Sequence, residues 1–225
     1  MATEQILLDR PRLPPTPPPL DWSTLTDAFE AACLLRCTPL PAGAGARRLV
    51  PEHRPPSVEF NREEAAHRMR QLLGRLDVPA EHEVTVGGLR RRYELHRLSV
   101  SHPHRPAYAR TLDAGWRQGR RELLGGPTLG ASAVRRAGRP RLAAAAWRAA
   151  LLAGGRHVRR HILGVRITDR ELAAILVRGA ALLDVPALLR PGTGCYLVCV
   201  ADGPHRERIL HSTALGPAGR VPDRA

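Results

Sequence analysis

An α/β (α+β) protein made from one unit used twice is the architecture this sequence predicts, and three observations lead there. Apolar residues recur at helical spacing in four segments and alternate at strand spacing between them. Glycine, proline and aspartate stand where those patterns change. The order of patterns then repeats at a constant offset of 107 positions, Asn61 against Thr168. At that offset Val58 meets Val165, Glu64 meets Glu171 and Ala66 meets Ala173, and Leu76-Asp77-Val78-Pro79-Ala80 meets Leu183-Asp184-Val185-Pro186-Ala187.

In chain order, residues 1–20 hold the proline cluster PRLPPTPPPL and are expected to be extended or disordered. The first repeat spans 21–112. Its first helix, about 23–37, carries Leu25, Phe29, Ala32, Cys33 and Leu35 on one face, with Ser23 or Thr24 as cap and Pro39 and Pro41 as stop. A glycine- and proline-rich loop precedes a short strand at 57–60. The second helix runs from Asn61 to about Leu76, with Asn61 and Glu64 at capping-box spacing. Residues 83–100 read as a hairpin turning at Gly87-Gly88. A linker is expected over 113–139, followed by the second repeat over 140–214. There a helix through Leu142, Ala146, Ala149 and Ala150 stops at Gly154-Gly155, and a strand covers 161–167. Thr168 and Glu171 form a second capping box, and a helix carries Leu172, Ile175, Leu176, Ala180 and Leu183. Strand 195–200 is expected to turn at Asp202-Gly203 into a partner, and 215–225 to be a frayed tail.

Charge narrows the function classes. Of 225 residues 35 are basic, all of them arginine, and the net charge is +14. A GC-rich coding sequence accounts for the choice of arginine over lysine, but the chemistry follows regardless. Without lysine there is no P-loop or kinase lysine and no Schiff base to pyridoxal phosphate. A surplus of guanidinium groups favours a polyanionic partner, whose phosphates arginine grips bidentately. The four cysteines, Cys33/Cys37 and Cys195/Cys199, have C-x3-C spacing without a histidine pair. They are read as buried free thiols in a reducing compartment rather than as a metal site. Neither a membrane-length apolar run nor a secretory signal is recognised, so a cytoplasmic protein is expected, with no cofactor.

The motifs AAWRAALLAGG (145–155), HILGVRITDRELAAILVRGAALLDV and CYLVCVADGPHRERI, with EAACLLRC, EFNREEAAHRMRQLLGRLDV and EVTVGG in the first half, carry a family resemblance. Their order resembles the LAGLIDADG homing-endonuclease fold and, more narrowly, the N-terminal part of the WhiA family of sporulation and cell-division regulators, over roughly residues 27–210. The resemblance implies two pseudo-twofold-related antiparallel sheets with packed helices, forming a saddle over duplex DNA. It also implies that nuclease activity needs a metal-holding acid near the end of the first helix of each repeat. Gly154 occupies that place in the second half and Pro39 lies near it in the first, so neither metal binding nor catalysis is expected. WhiA proteins usually continue into a helix-turn-helix domain; this chain is expected to lack one, since AALLDVPALLRPG and SAVRRAGRPRLAAAAW fail as internal candidates.

The candidate DNA contacts are Arg90, Arg91 and Arg92 in the first hairpin, Arg156, Arg159, Arg160 and Arg166 around the strand of the second half, and Arg206 and Arg208 at the last turn. Strand alternation puts Arg160 and Arg166 on one face, opposite Leu163, Val165 and Ile167. His96 and His211 stand at matching points of the two expected hairpins and are read as surface histidines. His211-Ser212-Thr213 has the form of a phosphoesterase H-x-T motif, which His96-Arg97-Leu98 does not complete. The resulting expectation is a non-catalytic, DNA-binding transcriptional regulator acting on double-stranded DNA, with a separate helix-turn-helix partner or sigma factor. The alternative is a protein-interaction module that binds a paralogue or sigma factor without touching DNA.

Overall fold

A computed structural model describes residues 18–38, 57–87, 93–125, 132–159 and 162–214, with backbone alone for 156–159. The first helix, α1 (Trp22–Cys37), is capped by the Asp21 carboxylate, which accepts from the Ser23 and Thr24 amides at 2.9 and 3.1 Å. The expected caps, Ser23 and Thr24, instead lie inside the helix, because a carboxylate one step earlier satisfies two orphan amides at once. Strand β1 (Ser57–Phe60) leads to α2 (Glu63–Arg75), then to β2 (Ala80–Gly87) and β3 (Tyr93–Val100). A helix not expected from the sequence, α3 (Arg105–Leu124), closes the first unit.

The second unit runs α4 (Ala133–Ala153), β4 (Gly155–Arg159), β5 (Ile162–Ile167), α5 (Arg170–Leu182), β6 (Ala187–Gly192), β7 (Cys195–Ala201) and α6 (Pro204–Ser212). The sheets are antiparallel, in the orders β1-β3-β2 and β4-β5-β7-β6. The duplication is therefore real in three dimensions: α2 and α5 begin and end at the same offset of 107, as do the starts of β2 and β6.

Three expectations need correction. The second hairpin is β6–β7, not β7 with the segment after it; Gly203 at φ 79° followed by Pro204 at the first helical position starts α6 instead. The stretch 113–139, expected as a linker, contains most of α3 and the first turns of α4. Neither capping box forms: Arg62, which makes no side-chain cap, precedes α2, and Asp169 caps α5 by accepting from the Leu172 amide at 3.0 Å.

The repeat is written most finely into two turns. Asp77 and Asp184 both adopt left-handed backbone, at φ 55° and 56°. Beyond them the Val78 and Val185 amides each donate to a carbonyl five residues back, Leu73 and Ala180, at 2.9 Å. These are paired Schellman closures, in which the residue after the cap turns left-handed to satisfy the last carbonyls. Glycine holds that conformation without Cβ strain, so Asp77→Gly and Asp184→Gly should each stabilise the fold by about 0.5 kcal/mol in chemical denaturation. A loss at either site would show that the aspartate side chain holds its turn.

The core lies between the sheets and α1, α4, α2 and α5. Alanines at 28, 31 and 32 of α1 and at 143–146, 149 and 150 of α4 are buried, and their small side chains let these two helices run close together. Helix α3 lies on α1 through Gly115 and Gly119: a Cβ at these positions would meet the Ala28 backbone at 2.7 Å and the Phe29 ring at 2.3 Å. Glu30 of α1 is fully buried and held by two arginines. Arg68 Nε and Nη2 donate to it at 2.6 and 2.8 Å, and Arg148 Nε and Nη2 at 2.9 and 3.0 Å. Arg148 Nη1 continues to the Thr213 carbonyl at 3.1 Å, so one carboxylate ties α1 and α2 to α4 and to the end of α6.

Candidate nucleic-acid interface

Helices α1 and α4 pack together and end near one another, at Thr38 and Gly154. Between them lies a cleft of about 460 Å³, lined from the first unit by Cys37, Thr38, Glu59, Phe60, Asn61 and Leu95 and from the second by Ala153, Gly155, Arg166 and Thr168. Glu59 and Arg166, like Asn61 and Thr168, are equivalent residues of the two repeats, so the cleft straddles the pseudo-twofold axis.

The helix ends carry no acid. Thr38 Oγ1 donates to the Leu35 carbonyl at 2.6 Å, and the Gly154 amide donates to the Ala150 carbonyl at 2.9 Å. A Cβ at Gly154 would stand 2.4 Å from that same carbonyl oxygen, so this backbone has no room there for a carboxylate side chain. Pro39 lies outside the described residues. Among the described residues one carboxylate reaches the cleft, from β1 rather than from a helix: Glu59, bound by Arg97 Nε and Nη2 at 2.9 and 2.6 Å. A single carboxylate already neutralised by a guanidinium does not suit a divalent cation, which takes six or more oxygen ligands. Among the described residues no three His, Cys, Asp or Glu side chains gather as a metal site. Desolvation and the nearby Asp169 carboxylate push the half-buried Cys37 thiol up, which favours its protonated form at neutral pH.

Beside the cleft, Arg36 contacts Asp169 and stacks 3.7 Å over the Trp116 ring, fastening the end of α1 to α3 and to the start of α5. In the first sheet His96 is buried and His82 Nε2 lies 3.2 Å from its Nδ1. Desolvation first, then His96, lower the His82 pKa, so His82 favours the neutral state. His96 is therefore not the surface residue expected, and His211 lies on α6 rather than on a hairpin strand, so the two histidines are not equivalent. The four cysteines are free; Cys33 and Cys199 are buried as expected, whereas Cys37 and Cys195 are only half-buried.

Register sorts the candidate arginines. In the second sheet Leu163, Val165 and Ile167 face the helices and Arg166 the open side, where it is exposed. Arg156 and Arg159 lie on β4, paired in register with Val165 and Ile162. Arg90, Arg91, Arg92 and Arg160 fall outside the described residues. Arg206 and Arg208 are on α6, whose Ile209 enters the core from the helix side. Arg206 pairs with Asp202 at 3.1 Å and Arg208 donates to the Asp184 carbonyl at 3.1 Å, so both are removed from the open face.

Sequence reasoning missed Arg190, exposed on β6, and the acids facing it across the saddle. On the open face of the first sheet stand Glu59, Glu81 and Glu83 with one arginine, Arg97. A second hollow of about 450 Å³, lined by Arg117, Arg120 and Arg121, lies at the end of α3, where Arg117 and Arg120 are paired with Asp113 and Glu171. Arginine is therefore spread over the molecule, and the second sheet is the part of the saddle that presents it without acids. No helix among the described residues is long and apolar enough to cross a membrane.

No protein-family model matches the sequence, and no curated protein matches it significantly. Solved structures do match. The N-terminal LAGLIDADG domain of DUF199/WhiA superposes over 88% of this chain and 84% of its own, with TM-score 0.52 and 12% identity. Full-length DUF199/WhiA from Thermatoga maritima matches 90% of this chain at TM-score 0.52 and 13% identity, and the chain spans 57% of its length. I-DmoI in complex with DNA and Mn matches over 88% of this chain and 99% of its own, at TM-score 0.50 and 17% identity. At such identities the likeness is one of architecture, and it agrees with the duplicated helices and paired antiparallel sheets described above: this chain has the LAGLIDADG homing-endonuclease-like fold.

Proposed function

We propose that this protein is a non-catalytic, duplex-DNA-binding regulator of the WhiA type, acting in sporulation or cell division. The observation that carries the reading is the axial cleft. It sits where both units converge, and its helix ends, Thr38 and Gly154, offer no acid while exposed Arg166 borders it. A saddle that keeps a cation beside the axis and lacks paired carboxylates is suited to hold a phosphate backbone without cutting it. The DNA-bound state of the solved I-DmoI structure supports duplex DNA as the ligand of this shape. The regulatory setting rests on the WhiA likeness alone.

The rival reading, a module that binds a paralogue, a helix-turn-helix protein or a sigma factor without DNA, is favoured by one observation, the glutamates on the open face of the first sheet. Incubating the purified chain with labelled duplex, with and without magnesium or manganese, separates the readings. Retarded but intact duplex is the expected result. No retardation at low salt would remove DNA binding, and metal-dependent cleavage would remove the non-catalytic assignment.

A further inference from the structure

We infer that the saddle engages DNA from one side: the second sheet holds the duplex through Arg166 and Arg190, and the first sheet, by charge reversal at the equivalent positions, keeps it away. This rests on the DNA-binding reading above and adds which half acts.

The two sheets contain one equivalent row of three residues each. In the first, Glu59 of β1 is in register with Arg97 of β3, and Arg97 with Glu83 of β2. In the second, Arg166 of β5 is in register with Leu197 of β7, and Leu197 with Arg190 of β6. Glu59 and Arg166, and likewise Glu83 and Arg190, are related by the repeat offset of 107. Both flanking positions of the row have thus changed sign between the repeats, and the central one is a neutralising arginine in the acidic row and a leucine in the basic row.

The consequences follow from geometry. Residues in register on neighbouring strands point to the same face, with strands about 4.8 Å apart, so the two outer charges of each row stand about 10 Å apart. In the first row the Glu59–Arg97 contact at 2.6 Å cancels one pair and leaves Glu83 over. In the second, Arg166 and Arg190 are exposed and make no ion pair among the described residues. Glu81, also on the open face of the first sheet, has exposed Leu188 as its counterpart, which extends the contrast. Screening at physiological salt acts over about 8 Å, so a phosphate on one row feels its own row far more than the other. A strand of DNA laid across the saddle therefore gains counterion release on the second sheet and meets like charge on the first. Arg90, Arg91 and Arg92, in the segment joining β2 to β3, are kept unchanged in the test below.

The test uses the full chain and a labelled duplex of about 30 base pairs, read by fluorescence anisotropy at several salt concentrations, with thermal melting to verify folding. Of the five changed residues Glu59, Glu83, Arg166 and Arg190 are exposed and Arg97 is half-exposed, and the one ion pair lost, Glu59–Arg97, is solvent-screened, so the variants should fold. Arg166→Ala with Arg190→Ala should weaken binding about tenfold or more and flatten the salt dependence by nearly two counterions. Glu59→Gln with Glu83→Gln should tighten it several-fold, and Arg97→Ala should not weaken it as the second-sheet pair does. Equal losses from Arg97→Ala and from the second-sheet pair, or no response to the glutamine changes, would overturn the one-sided arrangement while leaving DNA binding intact. A wild-type chain that binds no duplex at low salt overturns the underlying DNA reading instead.

Discussion

Replacing Glu30 by glutamine is expected to destabilise the protein by about 3–5 kcal/mol, because it leaves two guanidinium groups in the interior without a counter-charge. The carboxylate is wholly buried, and Arg68 and Arg148 keep only 21% and 20% of their side-chain surface. An amide can accept on one oxygen but places an NH2 group against donors on the other side, so two of the four hydrogen bonds become repulsive contacts. The energy lost is mostly the cost of uncompensated burial rather than the net strength of the triad. The effect reaches the proposed binding surface, since this carboxylate bridges helices from both repeats that end at the cleft. Chemical denaturation at neutral pH reads it directly. A loss below about 1 kcal/mol, the range of exposed pairs, would mean that water reaches the triad and that it does not lock the two units.

Trp147→Ala should cost a similar amount, about 3–5 kcal/mol, through a cavity between α4 and α5. Trp147 is fully buried, its ring lies against Gly179, and its Nε1 donates to the Leu176 carbonyl at 3.0 Å. The two terms can be separated. Trp147→Phe retains most of the apolar volume and loses the indole donor, so it should cost clearly less than alanine, with the hydrogen bond contributing about 1 kcal/mol of the difference from wild type. Equal losses for phenylalanine and alanine would show that the hydrogen bond, not packing, governs this contact. Denaturant midpoints for the two variants supply the comparison.

Much of this architecture was legible in the residues because the repeat is preserved where the backbone is most constrained. The five-residue identity Leu76–Ala80 against Leu183–Ala187 marks two left-handed aspartate turns, and such turns admit few residues, so their sequence persists while surfaces diverge. Helix α3 escaped notice because its buried face is made of Tyr108, Leu112, Gly115, Trp116, Gly119 and Leu123. Two glycines in a helical stripe argue against a helix on propensity alone, yet they are what lets α3 approach α1. In a repeated unit Asp202-Gly203 reads as a hairpin turn, but Gly203-Pro204 is a better guide to a helix start, and α6 begins there.

The interface was legible only in part. Arg166 follows from strand parity, but Arg206 and Arg208 were placed by proximity to a turn that is in fact a helix start. Glu59 lies more than twenty residues beyond Cys37, the end of α1, so a search for acids near that helix end in sequence could not bring it to the cleft. The repeat offset held the missing signal. Applied to charge as well as to apolar residues, it pairs Glu59 with Arg166 and Glu83 with Arg190, and so exposes the polarity of the saddle before any coordinates are needed.

The central claim is that exposed arginines on this saddle hold the backbone of a DNA duplex, and the salt dependence of duplex affinity tests it most directly. Two or more phosphates neutralised on the second sheet should make affinity fall about tenfold or more between 50 and 200 mM monovalent salt, along a straight line of log affinity against log salt. Affinity that stays level across that range would contradict the account.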